Sequence, residues 1–184
     1  QENGTTVTHY IQKLSYDRID YVVPTHPHAD HIGGMAKVLA SFDIGAVYMP
    51  NKEHTSKAFE TMLDIIEKKS IPLYTAKAGV TVLDEGKLRI EILSPVSESY
   101  KDLNNYSAVV KITYGNSRLL FTGDAEKLVE KEILPNNLQA QILKVGHHGS
   151  STSSGEEFLQ AVAPQYAVIS CAKNNEYGHP HAET

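Results

Sequence analysis

The sequence predicts an α/β fold, and three observations carry that prediction. Short apolar runs alternate with stretches of helical periodicity from end to end, no repeat or Pro/Gly/Ser linker interrupts them, and polar, histidine-bearing segments recur where apolar runs stop. The reading is a single α/β domain over residues 1–184.

Val7, Tyr10, Ile11 and Leu14 fall at helical spacing, and Ile19 to Val23 reads as a buried strand stopped by Pro24. Gly33 and Gly34 lead into a helix with Met35, Val38, Leu39 and Phe42 on one face, and Ala46 to Met49 is the next strand. A second helix begins near Ser56 with Phe59, Leu63 and Ile66 inward, its end solvated by Glu67-Lys68-Lys69, and Leu73 to Thr75 is a strand. Hairpins follow: Val80 to Leu83 and Leu88 to Leu93 flank Asp84-Glu85-Gly86, and Ala108 to Tyr114 and Arg118 to Phe121 flank Gly115-Asn116. Ala125 to Leu134 and Glu156 to Ala163 read as helices, Ile142 to Val145 and Tyr166 to Ser170 as strands. His26, Asp124, His147 and His179 all follow strand ends, so one rim of the fold could collect them.

Seventeen Lys and Arg against 22 Asp and Glu leave a net charge of −5, which argues against a protein that coats nucleic acid or anionic membrane through a general basic surface. Any phosphate partner needs a local site. No run approaches the roughly 18 apolar residues of a membrane span, and Gln1-Glu2-Asn3-Gly4 lacks the basic and apolar regions of a signal peptide, so the segment reads as soluble, with no membrane contact. The single cysteine, Cys171, excludes an intrachain disulfide and a multi-cysteine zinc site, and is expected to be a small buried side chain. The unusual feature is nine histidines, seven of them in three groups: His26, His28 and His31; His147 and His148; His179 and His181.

Thr25-His26-Pro27-His28-Ala29-Asp30-His31-Ile32-Gly33-Gly34 places three imidazoles and a carboxylate in six consecutive positions. In an extended loop, residues two apart point the same way, so His26 and His28 can grip one ion. Asp30 and His31, after the chain bends toward the helix, can reach a second. The plain alternative is a polar surface loop whose histidines do nothing.

This string resembles the signature of the metallo-β-lactamase superfamily. With Asn104 to Val110, Phe121 to Glu126, Leu143 to Ser150 and Tyr177 to His181, it resembles one branch in particular: the hydrolase domain of bacterial competence-type DNA-uptake membrane proteins, and its free-standing relatives. The resemblance implies a four-layer αββα sandwich with two divalent ions, Zn²⁺ or Mn²⁺, at one edge. It implies that Asp124 bridges them, as a carboxylate can by giving one oxygen to each of two cations about 3.5–4 Å apart; the plain reading of Asp124 is a helix N-cap for the stretch from Ala125, and the two roles are compatible. His179 would complete the second ion's shell, with His181 as an outer or substrate group.

One departure matters. Many members place a third histidine between the opening motif and the bridging Asp, but here only His54 lies in that interval, and the matching region offers Asn104, Asn105 and Ser107. Such a site is open and tolerant of harder ions, Mn²⁺ as well as Zn²⁺. In Gly146-His147-His148-Gly149-Ser150, an imidazole and exposed N–H groups can receive phosphate oxygens or protonate a leaving alkoxide, with hydroxyls from Ser150 to Ser154. The alternative is a Gly-bounded turn before a Ser-rich cap, and which histidine faces the metals is open. His9 and His54 read as surface residues; Glu126, Lys144 and Tyr177 either support the ligands or simply pack.

The functional expectation is a metal-dependent hydrolase in which Asp30 orients the attacking water and His147 and His148 serve the substrate. Phosphodiesters are the expected substrates, single-stranded DNA or smaller, as for a nuclease or phosphodiesterase. The competing readings are hydrolysis of a lactam, thioester or lactone carbonyl, and a metal-binding module without turnover. The resembling domains begin with two or more strands before the first helix and finish with a helix and strand after His-Pro-His. Both flanks are therefore expected beyond this segment, where a signal peptide, lipid anchor or membrane channel could sit and give an extracytoplasmic placement.

Overall fold

The computed structural model describes residues 2–184, with side chains from Gly4 onward. The chain forms two compact units, Gln1–Ala76 and Lys77–Thr184, and each has its own sheet.

The first unit runs α1 (Glu2–Lys13), β1 (Arg18–Val22), α2 (Ala29–Ile32), α3 (Met35–Ser41), β2 (Asp43–Met49), α4 (Lys57–Lys68) and β3 (Leu73–Thr75). The strands lie in the order β1-β2-β3, all parallel, as crossovers through helices require. Val22 and Val47 pack with Leu39 of α3 and Phe59, Met62 and Ile66 of α4 into one apolar cluster. Ser56 caps α4, its Oγ accepting the Phe59 N–H at 3.3 Å. Lys69 does more than solvate the helix end: its Nζ donates to the carbonyls of Leu39 and Phe42 at 2.8 and 2.5 Å, closing the end of α3.

In α1 the helix forms, but its face differs from the apolar spacing. Tyr10 is 64% exposed and Val7 and Leu14 are also open, while Thr8 is buried. Close backbone approach decides this, because a Cβ on Gly4 would lie 2.6 Å from the Gly34 carbonyl oxygen.

The second unit contains β4 (Val80–Glu85), β5 (Leu88–Ser94), a 3₁₀ turn (Leu103–Tyr106), β6 (Val109–Tyr114), β7 (Ser117–Phe121), α5 (Lys127–Ile133), β8 (Ile142–Lys144), a second 3₁₀ turn (Gly146–Gly149), α6 (Glu156–Val162) and β9 (Tyr166–Val168). Its six strands are ordered as in the chain; β4 to β7 are antiparallel, and β7-β8-β9 are parallel. Val109, Leu120 and Leu143 meet Val129 and Ile133 of α5 and Phe158 and Val162 of α6 in the core.

Three expectations are corrected here. The first hairpin turn comes later, since β4 continues through Glu85 and Gly86 takes φ +56. Asp124 is not a helix cap: α5 starts at Lys127 with Glu126 at the cap position. Cys171 is exposed: it lies three residues beyond the end of β9 at Val168, and Tyr166 and Val168 are themselves open among the described residues.

Candidate metal centre

In the first unit the chain leaves β1 extended through His28 and then turns into α2, which carries Asp30 and His31. Buried His26 directs Nε2 to within 3.0 Å of His28 Nδ1. Two nitrogens bound to one ion at about 2.0–2.1 Å and a tetrahedral angle stand roughly 3.3 Å apart, so the pair has close to the bite of a shared ion. The Thr25 hydroxyl lies 3.1 Å from His26 Nδ1 and 3.4 Å from His31 Nδ1 and steadies both rings from behind. His31 Nε2 lies 3.4 Å from Asp30 Oδ2, and the Asp30 carboxylate is largely exposed.

In the second unit Asp124 is buried in the turn after β7, its N–H donating to Ser107 Oγ at 3.0 Å. Lys144 Nζ donates to the carbonyls of Gly123 and Val145 at 3.2 and 2.9 Å, tying together the loops that carry Asp124 and the histidine pair. His148 Nδ1 lies 2.7 Å from the Ser170 carbonyl oxygen. A carbonyl only accepts, so Nδ1 carries the proton and the Nε2 lone pair is left facing Asp124 Oδ2, 3.4 Å away. Two acceptors at that distance call for a proton or a cation between them, and roughly 3.4 Å is the bite expected of one nitrogen and one oxygen on a tetrahedral ion. The donor chemistry of both units therefore fits a divalent metal.

His147 is held differently. Its Nδ1 lies 3.0 Å from Thr152 Oγ1 and its Nε2 3.4 Å from the Asn104 side-chain nitrogen. Asn104 Oδ1 is buried and has no hydrogen-bond partner, and turning the amide over would let that oxygen accept from His147 Nε2–H. Of the residues standing where a third histidine was expected, Asn105 is committed to Glu126, donating at 2.9 Å and accepting at 3.2 Å. Ser107 is committed to Asp124.

The His179 ring stacks on His148 at 6.4 Å and 16° and on Tyr177 at 5.6 Å and 24°. Burial, reinforced by His181, His147 and His148 when they are charged, holds His179 below the usual imidazole range. Both ring nitrogens of His181 are occupied: Nδ1 accepts the Ser151 N–H and Nε2 donates to the Tyr177 carbonyl, each at 3.0 Å. It latches the last segment to the serine loop. Sequence reasoning missed the Ser170 carbonyl, because a backbone acceptor leaves no residue-type signal. It also missed Glu130, a carboxylate among the apolar positions of α5, where that placement was the available clue.

Residues 8–173 match the metallo-β-lactamase superfamily. The chain is 35% identical over 166 residues to ComE operon protein 3 of Bacillus subtilis (strain 168), covering 89% of this chain and 21% of that protein. It is 33% identical over 166 residues to competence protein ComA of Neisseria gonorrhoeae, with 89% and 21% covered. It thus spans about a fifth of the length of these relatives. Among solved structures, the diiron β-hydroxylase CmlA from Streptomyces venezuelae superposes with a TM-score of 0.56 at 15% identity, covering 82% of this chain and 35% of that one. YhfI from Bacillus subtilis gives 0.50 at 13% identity, covering 83% and 66%. These likenesses establish the fold, and CmlA shows that the fold alone does not fix the reaction. Among the described residues no helix is long and apolar enough to cross a membrane. By the extent of the family match and by its fold, the chain belongs to the metallo-β-lactamase superfamily, an enzyme family that works with divalent metals.

Proposed function

We propose that this protein is a metal-dependent phosphodiesterase that cleaves a single DNA strand or a shorter phosphodiester with two divalent ions, Zn²⁺ or Mn²⁺. The observation that carries the reading is the His148 imidazole, held at Nδ1 by the Ser170 carbonyl with Nε2 3.4 Å from the buried Asp124 carboxylate. In this reading His26 and His28 hold the first ion, Asp30 and His31 the second, and Asp124 both. The sequence offers His179 as the second ion's last ligand; the fixed lone pair makes His148 the better supported donor, with His179 stacked against it.

When bound, the ions supply Lewis acidity toward a phosphoryl oxygen and lower the pKa of a water. Asp30, exposed beside His31, accepts a hydrogen bond from the attacking water and orients it. His147, whose Nδ1 lies 3.0 Å from the Thr152 hydroxyl, would supply the proton to the leaving alkoxide. The competence names of the relatives agree with a DNA strand as substrate.

A substrate panel tests this: bis(p-nitrophenyl) phosphate, single-stranded DNA, nitrocefin and a thioester, each with Mn²⁺ or Zn²⁺. Turnover of the phosphodiesters is expected. Turnover confined to nitrocefin or the thioester, or stoichiometric metal with no turnover at all, would overturn the reading.

A further inference from the structure

Lys111 on β6 is 5% exposed, a depth at which an ammonium is costly unless another charge answers it. It borders the apolar core, since its partner across β7 is the fully buried Leu120. Its Nζ donates to the Asn137 carbonyl, a neutral acceptor. Arg118, near the start of β7, is the diagonal neighbour of Lys111: Thr113 pairs with Arg118 where Lys111 pairs with Leu120. Diagonal neighbours share a face and stand about 7–8 Å apart, within reach of long side chains. The Arg118 Nε is buried and has no acceptor.

Asp84 and Glu91, on the same face, are both held by Arg89 of β5, which donates to them at 2.6 and 2.9 Å. Glu91 is the residue paired with Lys111, yet its carboxylate turns to Arg89. Among the described residues, neither Lys111 nor Arg118 therefore has a carboxylate partner. Burial, and after it the charge of Arg118, hold the Lys111 ammonium below the usual lysine range, with Glu91 opposing them. Thr113, opposite Arg118, adds a hydroxyl to this face.

We propose that Lys111 and Arg118 form a binding site for a small tetrahedral dianion, either inorganic phosphate or the terminal phosphate of a phosphomonoester. Two cations match a double negative charge, the buried Arg118 Nε gains an acceptor, and a guanidinium fork suits the spacing of phosphate oxygens. The site stands apart from the histidines of the same unit, because Arg118 lies near the start of β7 and Asp124 follows its other end. It depends on neither the metal ions nor the phosphodiesterase reading.

Sulfate, a tetrahedral dianion at neutral pH, and glycerol phosphate are each titrated into Zn²⁺-loaded protein at constant ionic strength, with chloride as the control. Backbone amide shifts read where each ion binds. Saturable shifts are expected at residues 111–118 and 137 with sulfate and not with chloride, distinct from any at residues 124 and 147–148. Arg118→Gln and Lys111→Met should each weaken that response at least about tenfold, the lower end for losing a hydrogen bond to a charged group. Arg118→Lys, which keeps the charge without the fork, should recover part of it. The same shifts with glycerol phosphate extend the site to phosphomonoesters, whereas a response to sulfate alone confines it to the free ion. Shifts that never saturate, an equal response to chloride, or unchanged affinity in Arg118→Gln, the less buried of the two substitutions, overturns the site.

Discussion

Glu130 is a carboxylate 2% exposed on α5, and it accepts the backbone N–H groups of Ser154 and Gly155 at 2.5 and 2.9 Å. These bonds pin the serine loop just beyond His147 and His148. Glu130→Ala leaves two buried donors without an acceptor, each about 1–3 kcal/mol, so a loss of roughly 3–5 kcal/mol is expected once the empty space is included. Glu130→Gln keeps one acceptor and turns an amide N–H toward the other donor, for a loss of about 1–3 kcal/mol. Burial raises the Glu130 pKa, against the two N–H bonds and Lys127, which lower it. The folded state therefore holds this proton more tightly than the unfolded chain does. Stability from this group is greatest below the ordinary glutamate value of 4.5 and declines as pH rises from there through the raised value. Urea unfolding across that interval should show the decline in wild type and a flatter profile in Glu130→Gln. A Glu130→Ala protein within about 1 kcal/mol of wild type would refute the reasoning.

Gly149 takes φ +85, and a Cβ there would lie 2.6 Å from Pro180 Cβ; Gly149→Ala should lose about 2–5 kcal/mol in urea unfolding from left-handed strain plus overpacking. His148→Ala should lose one equivalent of metal by elemental analysis, whereas His147→Ala should keep full metal and lose roughly 10²–10⁴-fold in rate. The opposite pattern would exchange the two roles. If the proposed two-ion reading holds, Asp30→Asn should retain the first ion while turnover falls by orders of magnitude, and near-normal kcat would remove Asp30 from the chemistry.

Element types were legible because periodicity reports burial directly: α4 is capped at Ser56 and turns Phe59 and Ile66 inward, as its spacing predicts. In α1 and at Lys69 the local pattern misleads for one reason, which is that a partner surface overrides it. In α1, backbone contact between Gly4 and Gly34 outweighs the apolar spacing of Val7, Tyr10 and Leu14, and glycine contacts are invisible to a hydrophobic count. Lys69 looked solvated because sequence cannot show that the carbonyls of Leu39 and Phe42 lie within its reach. At the site, residue types named the histidines, but the tautomer of His148 depends on the carbonyl of Ser170, 22 residues away.

The turn that carries the two histidines is strained for a reason the chemistry supplies. His147 and His148 take φ of 47 and 55, left-handed values that raise the energy of an ordinary side chain by about 1–2 kcal/mol each. Glycine at either position would avoid that penalty, yet glycine occupies only the flanking positions 146 and 149. Hydrogen bonds hold the conformation, from His147 N to the Gly123 carbonyl at 3.2 Å and from Ser150 N to the His147 carbonyl at 2.8 Å. In a strand, consecutive side chains point to opposite faces. Here the two rings stand 6.3 Å apart, one against Thr152 and Asn104, the other between Ser170 and Asp124. The strained backbone thus gives adjacent residues different partners, Thr152 and Asn104 for His147 and Ser170 and Asp124 for His148, and in the proposed function it is what lets one hold a proton for the leaving group while the other faces the metal.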